Sequence, residues 1–216
     1  MRNHFDEQLN ELRHKLTHMG ALCEEAIALA ARALMEANAA VGRRALTLDA
    51  EIDQMEREIE GLCLKLLLQQ QPVARDLRQI SAALKMITDM ERIGDQASDI
   101  VEIIPYLKER RVRECDSIRQ MAAAAIKMVV ESVDAFVRRD LKLARHVIQC
   151  DDIVDALFDS TRSALIRMIA ENHADGEYAL DLLMIAKYFE RIGDHATNIA
   201  EWVEFSVTGI HRGGQG

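Results

Sequence analysis

Residues 91–102 read ERIGDQASDIVE, and residues 190–201 read ERIGDHATNIAE. The two stretches agree at eight of twelve positions and lie 99 residues apart. Upstream, Asp49-Ala-Glu-Ile-Asp53 returns as Asp151-Asp-Ile-Val-Asp155, 102 residues apart. The difference of three falls in the intervening segments QQQPVARD and ENHADGEY. Self-similarity at a fixed offset marks a duplicated unit. Around the first copy, apolar residues step by three and four: Leu77, Ile80, Leu84, Ile87, Met90, Gly94, Ala97, Val101 and Ile104. Leu48, Ile52, Met55, Ile59, Leu62 and Leu66 do the same, as do Phe5, Leu9, Leu12, Leu16, Met19, Cys23, Ala26, Ala30, Ala33 and Ala37. Such seams belong to helices packed side by side. The alanines ending the first seam let a neighbouring helix come close.

The spacing predicts helices over 4–40, 43–71, 73–108, 115–138, 141–172 and 177–208. Breaks are expected near Val41-Gly42, at Gln71-Pro72 and through Lys108–Arg113. Pro72 suits a helix start and not a helix interior. Short links make successive helices antiparallel neighbours. The expected fold is all-α, a tandem duplication of two antiparallel three-helix bundles. The first repeat spans 1–110, the second 111–208, and 209–216 is a flexible tail.

Composition agrees. Of 216 residues, 49% are hydrophobic and 29% charged, enough to bury a core. Aromatics make up 4% and there are 2 prolines, which excludes a β-sandwich or barrel and favours helices. Lys and Arg total 27 against 36 Asp and Glu, a net charge of −9, which argues against nonspecific nucleic-acid binding. Cys23, Cys63, Cys115 and Cys150 are far apart and form no CxxC pair, so a zinc ribbon is excluded and reduced thiols are expected. The N-terminus has no signal-peptide core, and no apolar run is long enough to span a membrane, so a cytoplasmic location is expected.

Carboxylates recur at helical spacing on four helices: Asp49, Asp53, Glu56 and Glu60; Glu91, Asp95 and Glu102; Asp151, Asp155 and Asp159; Glu190, Asp194 and Glu201. A single acidic stripe is ordinarily a solvated face. Three observations set these apart. The acids follow the seam by one position, as in Leu48/Asp49 and Gly94/Asp95, so they flank it by about 100°. The same rotation on two antiparallel helices lands on one side of the pair, so the stripes edge one groove. Their levels also match. Asp53 with Glu91, and Asp49 with Asp95, share an index sum of 144, which places the turn at residue 72. Asp155 with Glu190, and Asp151 with Asp194, share 345, which places it between Asn172 and His173.

Each half thus collects four carboxylates, Asp49, Asp53, Glu91 and Asp95 in one and Asp151, Asp155, Glu190 and Asp194 in the other. Close carboxylates repel until some protonate or gain a cation. Oxygen-only ligands suit Mg²⁺, Mn²⁺ or Ca²⁺, and Fe and Zn also accept carboxylates. Gly94 and Gly193 sit between the acids, where a close helix approach is expected. Glu11-Leu-Arg-His14 is a single ExxH, and His14 with His18 is the spacing of ordinary surface histidines. His195 points about 100° from Asp194 and is excluded as a ligand. Arg92 and Arg191 are expected in salt bridges, Arg92 with Asp89. The arginines at 110, 111 and 113 are expected to solvate a linker. There is no P-loop and no GxSxG.

Together these motifs resemble the PhoU family over nearly the whole chain. The paired ERIGD segments carry the resemblance, with Leu16-Thr-His-Met19-Gly20, Gln71-Pro72-Val-Ala-Arg-Asp76-Leu77-Arg78 and Asn198-Ile-Ala-Glu201-Trp202. It implies surface metal clusters on Asp49/Asp53, Glu91/Asp95, Asp151/Asp155 and Glu190/Asp194. Asn198 stands where the first repeat has Asp99, which implies fewer or weaker metals in the second site. It also implies regulation without catalysis. PhoU-like proteins restrain the phosphate-starvation response by connecting the Pst phosphate ABC transporter, through its ATPase PstB, to the sensor kinase PhoR and hence its regulator PhoB. They commonly form homodimers. Two alternatives stay open: an accessory of a different phosphate permease, and a carboxylate-bridged metalloenzyme.

Overall fold

The computed structural model describes residues 2–69, 72–107 and 116–210. Six helices account for it: α1 Arg2–Glu36, α2 Ala39–Gln69, α3 Ala74–Ile103, α4 Asp116–Arg138, α5 Leu141–Glu171 and α6 Gly176–Thr208. Short 3₁₀ turns at Ile104–Leu107 and His173–Asp175 extend α3 and precede α6. There is no strand among the described residues. Helices α1–α3 form one antiparallel bundle and α4–α6 the other. The parts of the expected linker and tail at 108–115 and 211–216 lie outside the described residues, with Cys115 and the arginines at 110, 111 and 113.

The duplication extends to single hydrogen bonds. Ala37 donates to Leu34 and Asn38 to Ala33; 102 residues later Arg139 donates to Phe136 and Asp140 to Ala135. This pair of bonds closes a helix with one left-handed residue. Ala37 and Arg139 are that residue, at φ 51° and 56°. Asn38 and Asp140 then cap the next helix, Asn38 accepting from the Ala40 amide and Asp140 from those of Lys142 and Leu143.

The break expected at Val41-Gly42 is therefore four residues early, at Ala37–Asn38, and Gly42 lies inside α2. Gly42 is a packing glycine. A Cβ there would stand 2.7 Å from Val101 Cγ1 and 3.2 Å from Ala33 Cβ. A side chain is what the site excludes, so the sequence shows a glycine that reads like a turn. Most of the seam residues are buried, but Leu77, in the first turn of α3, is 48% exposed.

The two bundles share one hydrophobic core. They meet along α3–α6, the most extensive helix pair, and along α1–α4. The α3–α6 contact is polar at its centre. His195 Nδ1 and Asp89 Oδ1 are 2.9 Å apart, and Asn198 Nδ2 donates to the same oxygen at 3.2 Å. The Tyr188 hydroxyl bonds Asp99. Asp89 with Asn198 and Asp99 with Tyr188 share an index sum of 287, and each pair maps onto the other under the 99-residue offset. The contact is thus a pseudo-twofold seam. It also corrects the expected partner of Asp89, which is His195 and not Arg92.

Candidate metal grooves

Gly94 sets the geometry of the first groove. A Cβ there would meet Asp49 Oδ1 and Ile52 Cδ1, each at 3.0 Å. Only a bare backbone lets α2 lay Asp49 across α3. That brings Asp49 beside Asp95, the largest charge effect on Asp49 after burial. Burial, then Asp95, Asp53, Asp99 and Glu102, push the Asp49 carboxyl up to about 6. Burial and Asp53 raise Asp95; burial, Asp95, Glu56 and Asp53 raise Glu91. Asp49 Oδ1 is buried with no hydrogen-bond partner. The charges of Asp49, Asp53, Glu91 and Asp95 thus act on one another, and those of Glu56, Asp99 and Glu102 add to them.

The second groove repeats the plan more loosely. A Cβ on Gly193 would find Val154 at 3.4 Å and Asp151 Oδ1 at 3.7 Å. Burial, then Glu190 and Asp151, push Asp194 up to about 6, and burial and Asp155 raise Asp151. Here a cation of the chain intrudes. The Lys187 ammonium donates to Glu190 and lies 5.5 Å from the Phe158 ring centroid. Under the repeat offsets Lys187 stands in place of Thr88, Phe158 in place of Glu56 and Asn198 in place of Asp99. Thr88 donates to Glu56, an acid with a raised pKa. The second groove has therefore exchanged two acids for an aromatic and an amide and gained a lysine. Asp159 is outside it, paired with Arg162 at 3.3 Å on an exposed face.

Among the described residues, no three His, Cys, Asp or Glu side chains converge closely enough to chelate an ion as they stand. The donor set is nonetheless of the oxygen-only kind a hard cation takes, and it includes the unpartnered Asp49 oxygen among carboxyls that burial and mutual repulsion raise. The chemistry of these residues fits a divalent cation. The other candidates do not gather acids in this way. His14 and His18 line a shallow groove with Glu11 and Met55, where Lys15 already pairs with Glu58 at 2.7 Å. His195 turns from the groove to Asp89, although its charge lowers the Asp95 pKa. Cys23, Cys63 and Cys150 are free thiols. The sequence signals for Lys187 and Phe158 existed, in the positions where the two repeats differ.

The PhoU domain profile matches residues 16–104 and 118–203, once for each bundle. The chain belongs to the PhoU domain family. It is 36% identical over 207 residues to the Pseudomonas aeruginosa phosphate-specific transport system accessory protein PhoU homolog, covering 95% of this chain and 86% of that one. Thermotoga maritima homolog 1 of the same description is 32% identical over 208 residues, with 95% and 90% covered. The crystal structure of PhoU from Pseudomonas aeruginosa superposes with a TM-score of 0.91 at 35% identity, over 95% of this chain and all of that one. That of the phosphate transport system regulatory protein PhoU from Streptococcus pneumoniae gives 0.89 at 26% identity, over 96% and 98%. This PhoU-domain chain has no described helix long and apolar enough to cross a membrane.

Proposed function

We propose that this PhoU-domain chain is an accessory and regulatory protein of phosphate transport, a helical adaptor whose two carboxylate grooves hold divalent cations. The observation that carries the metal reading is the buried, unpartnered Asp49 oxygen over Gly94 in a groove of mutually raised carboxyls. Asp49, Asp53, Glu91 and Asp95 would hold one site, and Asp151, Asp155, Glu190 and Asp194 the other. A bound Mg, Mn, Fe or Zn ion would supply positive charge that offsets part of the groove's negative charge. The chain's own part is to present rigid helix faces whose charge depends on that loading. Partner domains then dock on a surface that is strongly acidic when empty and less acidic when filled.

The membership of the family and the names of the relatives support the phosphate role. In that role the protein acts without turnover in the cytoplasm, as a homodimer, linking the transporter ATPase PstB to the kinase PhoR and restraining the phosphate-starvation response. Deleting the gene should raise starvation-gene expression in phosphate-rich medium. Unchanged expression with the transporter and kinase intact would overturn the regulatory reading. The adaptor is tested by co-purification: PstB and PhoR should be recovered with the wild type and lost from an Asp95→Asn, Asp194→Asn double variant.

A further inference from the structure

In a chain of net charge −9, one end of the bundle gathers four arginines from three elements. We propose that Arg13, Arg75, Arg78 and Arg139 form a binding site for a phosphate-class oxyanion. Helix packing places them together. Gly20 of α1 lies against Val133 of α4, where a Cβ would meet Cγ2 at 3.1 Å. In this antiparallel pair the contact sets an index sum of 153, which levels Arg139 with residue 14, next to Arg13. Arg13 reaches α3 through Gln79: with the amide oxygen turned towards it, that oxygen accepts from Nε and Nη2 at 3.2 Å each. Arg78, one residue before Gln79, lies against Gly209 at the end of α6, its Cδ 3.6 Å from the Cβ position. Arg75 is one turn earlier on the same helix.

The cluster is uncompensated. Burial, then the charges of Arg75, Arg13 and Arg78, lower the Arg139 pKa, and Asp76 is the opposing charge. Among the described residues no carboxylate forms a salt bridge with Arg75, Arg78 or Arg139. Arg78 Nε is buried and has no acceptor. Arg139 holds its guanidinium from a left-handed backbone position, φ 56°, where glycine is the unstrained choice. The packing of the repeat does not require any of this. The pseudo-equivalents of Arg75, Arg78 and Arg139 are Ala174, Glu177 and Ala37, so the duplication does not repeat these three arginines. Several guanidinium forks gathered at one end of the bundle match an anion with three or more acceptor oxygens and up to two charges, which is a phosphate or phosphoryl group. A single carboxylate would occupy one fork.

The site stands whether or not the chain regulates a transporter. It is tested by calorimetric titration of the full chain with inorganic phosphate, and separately with pyrophosphate and ATP, at constant ionic strength. A chelator is present so that metal in the acidic grooves cannot hold the anion. Saturable phosphate binding is expected, weakened about tenfold by Arg78→Gln and by Arg139→Gly. Arg139→Gly relieves the left-handed strain and so preserves the fold. Ala37→Gly relaxes the matching turn and should leave binding unchanged. Binding of pyrophosphate or ATP alone, with the same arginine dependence, assigns the site to a polyphosphate and upholds it. Saturable binding of none of them, equal affinity in the arginine variants, or capture of a phosphate-free acidic peptide in their place would overturn it.

Discussion

Asp49 is the residue on which the first groove turns. Its folded-state pKa of about 6 lies above the ordinary 3.8, so the folded protein takes up its proton more readily than the unfolded chain. Its ionised form therefore opposes folding. In metal-free protein this contribution to stability should rise as pH falls from 7 through 6 towards 4, and be lost as pH climbs back. Asp194, at about 6, acts with the same sign. The melting temperature of chelated protein should thus rise between pH 7 and pH 5, and an Asp49→Asn, Asp194→Asn double variant should lose most of that rise. Saturation with Mn²⁺ or Mg²⁺ should stabilise the wild type at pH 7 by about 2.7 kcal/mol at a hundredfold excess over Kd, and less at pH 5, where protons compete. Melting curves with and without metal read both effects. An equal metal response in the double variant, or none in the wild type, would leave the stripes as solvated faces. The glycines give a second residue-scale contrast. Gly193→Ala gains helix propensity, up to about 1 kcal/mol, into ordinary contact distance. Gly94→Ala must push Asp49 and Ile52 aside, and Gly42→Ala drives into Val101 and should cost about 1–3 kcal/mol by denaturant titration. Gly94→Ala should also weaken metal binding, whereas Gly193→Ala should not.

Helix by helix, the two grooves share a plan and differ in charge. Glu56, Asp99 and Thr88 in the α2–α3 groove correspond to Phe158, Asn198 and Lys187 in the α5–α6 groove. Lys187 already neutralises Glu190. Cation titration should accordingly resolve a tighter α2–α3 site, and Lys187→Ala should strengthen the weaker one; two sites of equal affinity would contradict this. The element scale is also where the sequence was most and least legible. Periodicity and offset located all six helices, because the seams follow the 3.6-residue turn. The turn from α1 to α2 was misplaced because its marker is not a glycine. Ala37 and Arg139 adopt left-handed backbone without one, and the nearby Gly42 serves helix contact. The hydrogen-bonded pairing of Asp89 with His195 lay beyond reach for a different reason. It joins residues 106 apart across two bundles, and no local period encodes how bundles dock. Ala37→Gly should stabilise the turn by about 1 kcal/mol, since left-handed alanine carries a steric cost that glycine avoids.

At the scale of the molecule, the question is whether duplicated bundles behave as two domains or one. The sequence divides at the linker, but the burial does not. Core residues of α3 and α6 belong to one continuous cluster, and α1–α4 packs beside them. The polar seam at the centre adds specificity. Asp89 and His195 are 7% and 8% exposed, so removing one leaves the other buried without its partner. Asp89→Ala should therefore cost about 1–3 kcal/mol, and the loss should be felt by both bundles together. The single tryptophan makes this testable, because Trp202 sits on α6 in the second bundle, whereas circular dichroism reports helices of both. If the halves unfold as one cooperative unit, fluorescence and circular dichroism should give coincident denaturation curves with a common midpoint, in the wild type and in Asp89→Ala alike. Separate midpoints in the wild type would show that the bundles are independently stable. A split appearing only in Asp89→Ala would locate the coupling in the Asp89–His195–Asn198 contact itself. Coincidence is the expected outcome, since α3 cannot leave α6 without exposing the shared core of both repeats.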